Sequence, residues 1–149
     1  MKENEESHSQ LLQQWQTCVE MANSVSQRRD NMNNLFVSLN LAITAAVSFT
    51  WDMKSLFILT AGIVLCFLWL RFIRTYRLLN RAKFDVIDEI EKQLPSQPFY
   101  REWTLLKANK NYKNATVLER VLPITFIVLY AAAFIIILIN KIKTGGCVQ

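Results

Sequence analysis

Asn40, Thr44 and Ser48 follow one another at four-residue spacing inside Leu35–Trp51, a stretch without a single Asp, Glu, Lys or Arg. On a helix that spacing makes a polar stripe along an otherwise apolar surface. Polar side chains surrounded by hydrocarbon face protein or water, because an unpaired amide there costs several kcal/mol. Two chemistries suit the stripe, and the spacing leaves both open. One is hydrogen bonding to a neighbouring helix, worth about 0.6 to 2 kcal/mol per bond. The other is a wet path lined by copies of this helix in an oligomer. Asp85, Asp88, Glu89 and Glu91 form the second concentration of chemistry-bearing groups. They could build an acidic site, but a solvated helix face is the simpler account. His8 stands alone in a polar segment, and no Cys/His pairing has metal spacing. With glycine only at 62, 145 and 146, no Gly-rich loop cradles a phosphate. We therefore expect no enzyme activity, no cofactor and no metal. The three cysteines are too few and too scattered for a disulfide framework. Cys66 reads as a small packing residue, Cys18 as a thiol in a reducing compartment, and Cys147 as a thiol that could cross-link subunits in an oxidising one.

The elements that position these groups are three uncharged apolar segments: 35–51, 55–70 and 121–140. A bilayer core roughly 30 Å thick calls for about 20 apolar residues of helix. The third segment reaches that length, and the first two borrow length from flanking helix. A span must satisfy its backbone hydrogen bonds internally, so the expected fold is an all-α integral membrane protein with three transmembrane helices. The remainder is a tail with an amphipathic helix (1–34), a basic helical segment (71–120) and a short C-terminal tail (141–149). No cleavable signal precedes the first span, which serves as its own membrane signal.

Of the 17 Lys and Arg, eleven fall in 71–120. The positive-inside rule places that segment in the cytoplasm, with the N-terminus inside and the C-terminus outside. Arg28 and Arg29 before the first span, and Arg71, Arg74 and Arg77 after the second, are expected to contact lipid headgroups. Lipid is then the anionic partner, rather than nucleic acid.

Helical periodicity continues outside the lipid. Leu12, Trp15, Val19, Ala22, Val25, Met32 and Phe36 predict an amphipathic helix that starts near Ser9, behind a disordered acidic tip, and runs into the first span. Phe72, Tyr76, Leu79, Ala82, Val86, Ile90 and Leu94 predict another, making 55–94 one rod ended by Pro95 and Pro98. Trp15, Val86 and Ile90 are the expected packing residues between subunits, since three thin helices offer little interior for Asn40. Phe99–Trp103 reads as a segment returning to the membrane surface, 109–114 as a polar loop, and Thr116-Val-Leu-Glu119 as a capping box. Small residues four apart, Ala42/Ala46 and Gly62/Cys66, allow close helix contact within or between subunits. Pro123 suggests a mild kink.

Ser26-Gln-Arg-Arg-Asp-Asn-Met-Asn-Asn34 leading into Leu35, the block Trp69-Leu-Arg-Phe-Ile-Arg-Thr-Tyr-Arg-Leu-Leu-Asn-Arg-Ala-Lys-Phe84, Ile87 to Pro95, Glu102-Trp103, and Glu119-Arg120 with Pro123 together resemble the RipA-like family of small octameric bacterial membrane proteins. The resemblance covers about Asn23 to Ile139. It implies a bacterial inner-membrane location and a ring-like homo-octamer, but no catalytic residues; in such a membrane the positive-inside reading puts the N-terminus in the cytoplasm and the C-terminus in the periplasm. A broader similarity runs to SLATT-type membrane effectors of anti-phage defence. Those act beside a sensing partner, and this chain carries no sensing domain. The expected function is a homo-oligomer that forms or gates a membrane pathway, as a defence or stress effector. The alternative is a membrane scaffold whose cytoplasmic helices dock a protein partner without a pore.

Overall fold

The computed structural model describes residues 2–49, 54–109 and 115–145. They form four helices: α1 (Lys2–Phe49), α2 (Ser55–Glu91), α3 (Pro98–Ala108) and α4 (Ala115–Gly145). Three of these, over Glu6–Phe49, Ser55–Glu91 and Val117–Lys143, are long and apolar enough to cross a membrane. The chain is all-α, as the apolar runs predict.

α1 is one helix through both its polar and its apolar halves, for no Gly or Pro interrupts it. It begins at Lys2, not near Ser9 behind a disordered tip. Glu3, Glu5 and Glu6 are good helix formers, and negative charge at a helix N-terminus is favoured by the dipole. α2 closes at Glu91, three residues before the expected Leu94. There Gln93 N–H and Leu94 N–H bond to the carbonyls of Ile90 and Glu91, tightening the last turn ahead of Pro95. α4 stays helical past Pro123, which is fully buried. It already includes Thr116, so the helix starts before the proposed capping box.

The helices make two compact units: Met1–Asp30 with Arg74–Asn114, and Asn31–Ile73 with Ala115–Gln149. In the second, Val47, Leu59, Cys66, Tyr130 and Ile137 form one buried cluster. Phe36, Trp69 and Ile73 form another.

On α2 the buried register differs from the predicted stripe. Trp69, Ile73, Ile87 and Glu91 are fully buried, whereas Phe72, Leu79 and Val86 are exposed. α2 carries apolar residues on more than one side, so the pattern offers two stripes about 100° apart. Aromatic partners choose between them: Trp69 stacks on Phe36 at 5.6 Å, and Phe84 meets Phe99 edge-on at 5.7 Å. On α1, Ala22, Val25 and Phe36 are buried as expected, while Leu12 is exposed.

Candidate functional site

The polar stripe of the first span divides. Asn40 is completely buried, and all three long helices of its unit meet at its side chain. Its Nδ2 donates to the Phe36 carbonyl at 2.8 Å. Its Oδ1 accepts from the Cys66 thiol of α2 at 3.1 Å and from the Tyr130 hydroxyl of α4 at 3.0 Å. The same hydroxyl lies 3.0 Å from the Asn40 carbonyl, which also accepts from Thr44 Oγ1 at 2.8 Å. Of the two chemistries open to Asn40, the geometry is that of an interhelical bond.

Gly62 makes the junction possible. A Cβ there would stand 2.7 Å from Tyr130 Cε2, so only a bare Cα lets the ring lie against α2. The expected Gly62/Cys66 approach is thus realised within one chain, between α2 and α4. Ala42 and Ala46 both lie on the exposed side of α1. Nearer the start of the span, Trp69 Nε1 donates to Asn33 Oδ1 at 2.9 Å. Phe126 bridges the two levels, 6.5 Å from the Trp69 ring and 6.0 Å from that of Tyr130.

Thr44 and Ser48 are exposed. Ser48 Oγ donates to the Thr44 carbonyl at 2.8 Å, and Ser38 Oγ donates to the Asn34 carbonyl at 2.9 Å. Each oxygen keeps lone pairs able to accept from water or another helix.

The acidic group also divides, and one part corrects the solvated-face expectation. Asp85 and Glu89 are exposed, but Glu91 is 1% exposed. Its carboxylate accepts from the backbone N–H groups of Phe99 (3.2 Å) and Tyr100 (3.3 Å). These are the first free donors of α3, because Pro98 has no N–H and Gln97 provides no side-chain cap. A carboxylate therefore holds the positive end of that helix. Beside it, Asp88 is half-buried and its Oδ1 has no hydrogen-bond partner among the described residues. Burial pushes its carboxyl up from the usual range. Glu91 and Asp85 push it the same way, and Lys92 and Lys107 oppose them.

Of the expected intersubunit residues, Trp15 is half-buried within its own chain, 5.8 Å from Phe99. Ile90 is half-buried and Val86 exposed. Phe99, expected at the membrane surface, packs between Trp15 and Phe84 instead. Tyr100 and Trp103 are exposed. Arg28, Arg71, Arg74 and Arg77 are exposed, and Arg29 is half-buried. Among the described residues no cluster of three or more His, Cys, Asp or Glu could hold a metal. Cys18 and Cys66 are free thiols, while Cys147 and the loop residues 110–114 lie outside the described residues.

The sequence reading missed Tyr130, Trp69, Asn33 and Glu91. Tyr130 carried a signal, as the sole tyrosine of an otherwise aliphatic and Phe-bearing span. Glu91 carried a weaker one, an acid seven residues before a Pro that opens a helix.

Within the single chain, only 17% to 28% of each apolar window is buried, so most of each span is left for lipid or for other copies. No curated protein and no solved structure matches the chain. Residues 12–139 match the octameric membrane protein family, whose description carries self-association in a membrane, and the chain belongs to that family.

Proposed function

We propose that this protein assembles into a homo-octamer in a bacterial inner membrane that forms or gates a pathway through it, as a RipA-like relative of SLATT-type effectors in defence or stress. The supporting observation is a contrast between exposed surfaces. On α1 the exposed part of the span carries three hydroxyls, Ser38, Thr44 and Ser48, among Leu35, Leu39, Leu41 and Phe49. On α4 it carries one, Thr125, and Asn140 at its end, among Val121, Leu122, Ile124, Val128, Leu129, Ile135, Ile136 and Ile139. Hydrocarbon suits the second surface, while the first is better matched by protein or water. The activity proposed is permeation rather than turnover. A sensor or effector protein would supply the trigger. The eleven basic residues of 71–120 orient the chain with its N-terminus cytoplasmic and its C-terminus periplasmic.

The test is dye leakage and single-channel conductance in liposomes containing the purified protein. Leakage that falls in a Ser38→Ala, Thr44→Val, Ser48→Ala variant of unchanged native mass supports the pathway. Absence of leakage under every trigger tried, with the octamer intact, overturns it. A membrane scaffold is the second reading, favoured by the exposed Tyr100, Trp103 and Leu105 on α3, a helix with no buried residue. Retention of a protein partner that is lost on Tyr100→Ser, Leu105→Ser would support that reading. Impermeant-maleimide labelling of an unpaired Cys147 from outside intact spheroplasts checks the orientation.

A further inference from the structure

A ring of identical copies needs two different faces on each protomer, one meeting the other around the circle. In the unit made of Met1–Asp30 and Arg74–Asn114, exposed Asp30 of α1 and exposed Arg74, Arg77 and Arg81 of α2 lie nearest the apolar runs, and exposed Asp85 and Glu89 continue the α2 face beyond Arg81. On α1, Gln16, Glu20, Asn23, Gln27 and Asp30 are all exposed. At about 100° per residue they fall within roughly a quarter-turn of one another. Arg28 is about 200° from Asp30 and so lies on the far side of the helix. On α2, Arg74, Arg77 and Arg81 are exposed beside an exposed apolar line, Leu78, Ala82 and Val86, at four-residue steps.

The two faces also match in level. Asp30 is five residues before the apolar run that starts at Leu35, and Arg74 is four residues after the run that ends at Leu70. Gln27 and Leu78 are each eight residues from those edges. Glu20 is level with Asp85 rather than with an arginine, so the charge match is confined to Asp30 and Arg74. α1 approaches the apolar run and α2 leaves it, so the two faces would meet antiparallel with Asp30 opposite Arg74.

We infer that the Gln27/Asp30 part of the α1 face docks on the Arg74/Leu78 part of the α2 face in the next copy, and that this contact closes the ring. The occupant of each face is a second copy of this chain. The contact buries the Leu78–Ala82–Val86 line, which a single chain leaves in water. It does not depend on whether the assembly conducts.

Two singly substituted proteins, Gln27→Cys and Leu78→Cys, in a Cys18→Ser, Cys147→Ser background, are co-expressed and oxidised in membranes. A disulfide-linked dimer is expected from the mixture, and none from either protein alone. No dimer in the mixture, or a dimer from Gln27→Cys alone, overturns the inference. The second measurement is native mass in mild detergent. Asp30→Arg and Arg74→Asp should each give assemblies smaller than the octamer, and the double substitution should restore it. Lipid binding by Arg74 would not be restored by a new arginine at position 30, so failure of rescue, with both single variants folded, assigns Arg74 to headgroups and overturns the docking.

Discussion

Asn40 and Glu91 are both fully buried polar residues on long helices, yet they solve the burial problem differently. Asn40 is neutral and joins α1 to α2 and α4 through the side chains of Cys66 and Tyr130. Glu91 is an acid, and it holds α3 by two backbone donors. The difference follows from the surroundings. In an apolar span a charge is too costly, and an amide can be satisfied by one thiol and one phenol. In the other unit, a helix N-terminus supplies aligned N–H groups and a favourable dipole, which is what a carboxylate requires. One site ties spans together, and the other fixes a short surface helix none of whose residues is fully buried.

The largest effect is expected at Glu91. Glu91→Ala leaves the part-buried N–H groups of Phe99 and Tyr100 without their acceptor, removing two hydrogen bonds to a charged group at up to about 1.5–3 kcal/mol each. α3 should detach, with hydrogen exchange at those two amides rising by orders of magnitude while the Asn40 unit keeps its protection. Glu91→Gln keeps one carbonyl acceptor and should retain part of it. Equal loss of protection in both units would show that the two sites are not independent.

Asn40→Leu comes next. It strands the Cys66 thiol and takes the side-chain acceptor from the Tyr130 hydroxyl, which keeps the main-chain carbonyl of residue 40, at roughly 0.6–1.7 kcal/mol per interhelical bond lost. The thermal midpoint in detergent should fall, and α3 exchange should not change. Gly62→Ala probes the same junction by volume. Its new methyl meets the Tyr130 ring inside contact distance, and overpacking of this kind costs about 1–3 kcal/mol. Combining Gly62→Ala with Tyr130→Phe should be less than additive, since a ring displaced by the methyl has already lost the hydroxyl bonds that Tyr130→Phe removes. Full additivity would place the ring elsewhere.

How far each region could be read in the sequence differs for the same physical reason. The spans are written as uninterrupted apolar runs, and α1 as one continuous helix, because absence of charge and of helix breakers is a local property. The Asn40 bond was legible as one of two options, since an amide in a span must find a partner but the sequence does not name it. Tyr130 is ninety residues away, and only packing brings it near. The buried register of α2 was misread by one residue, Val86 for Ile87, because periodicity cannot rank two adjacent apolar stripes. Glu91 was misread as solvated, since an acid on an amphipathic helix looks exposed until a later helix ends on it.

The smallest effect is expected at Asp88, one helical turn from Glu91, and it tests whether the acidic region tolerates its crowding. Burial first, then the neighbouring Glu91 and Asp85 charges, raise the Asp88 carboxyl above its ordinary value of 3.8. The folded state therefore holds this proton to a higher pH than the unfolded chain does. Above the raised value the ionised carboxylate opposes folding. That opposition fades as pH falls through it, and the contribution levels off below about 3.8. This one group thus makes its unit more stable on mild acidification, the reverse of a carboxylate held by a salt bridge. Asp88→Asn removes the charge that burial and the neighbouring Glu91 and Asp85 oppose. The variant should be the more stable protein at neutral pH, with the gap closing as pH approaches 4. Unfolding midpoints of both proteins across that range check the sign. A gap that widens on acidification would mean that Asp88 is held as a carboxylate by a partner, and that both acids in this region are paired as Glu91 is.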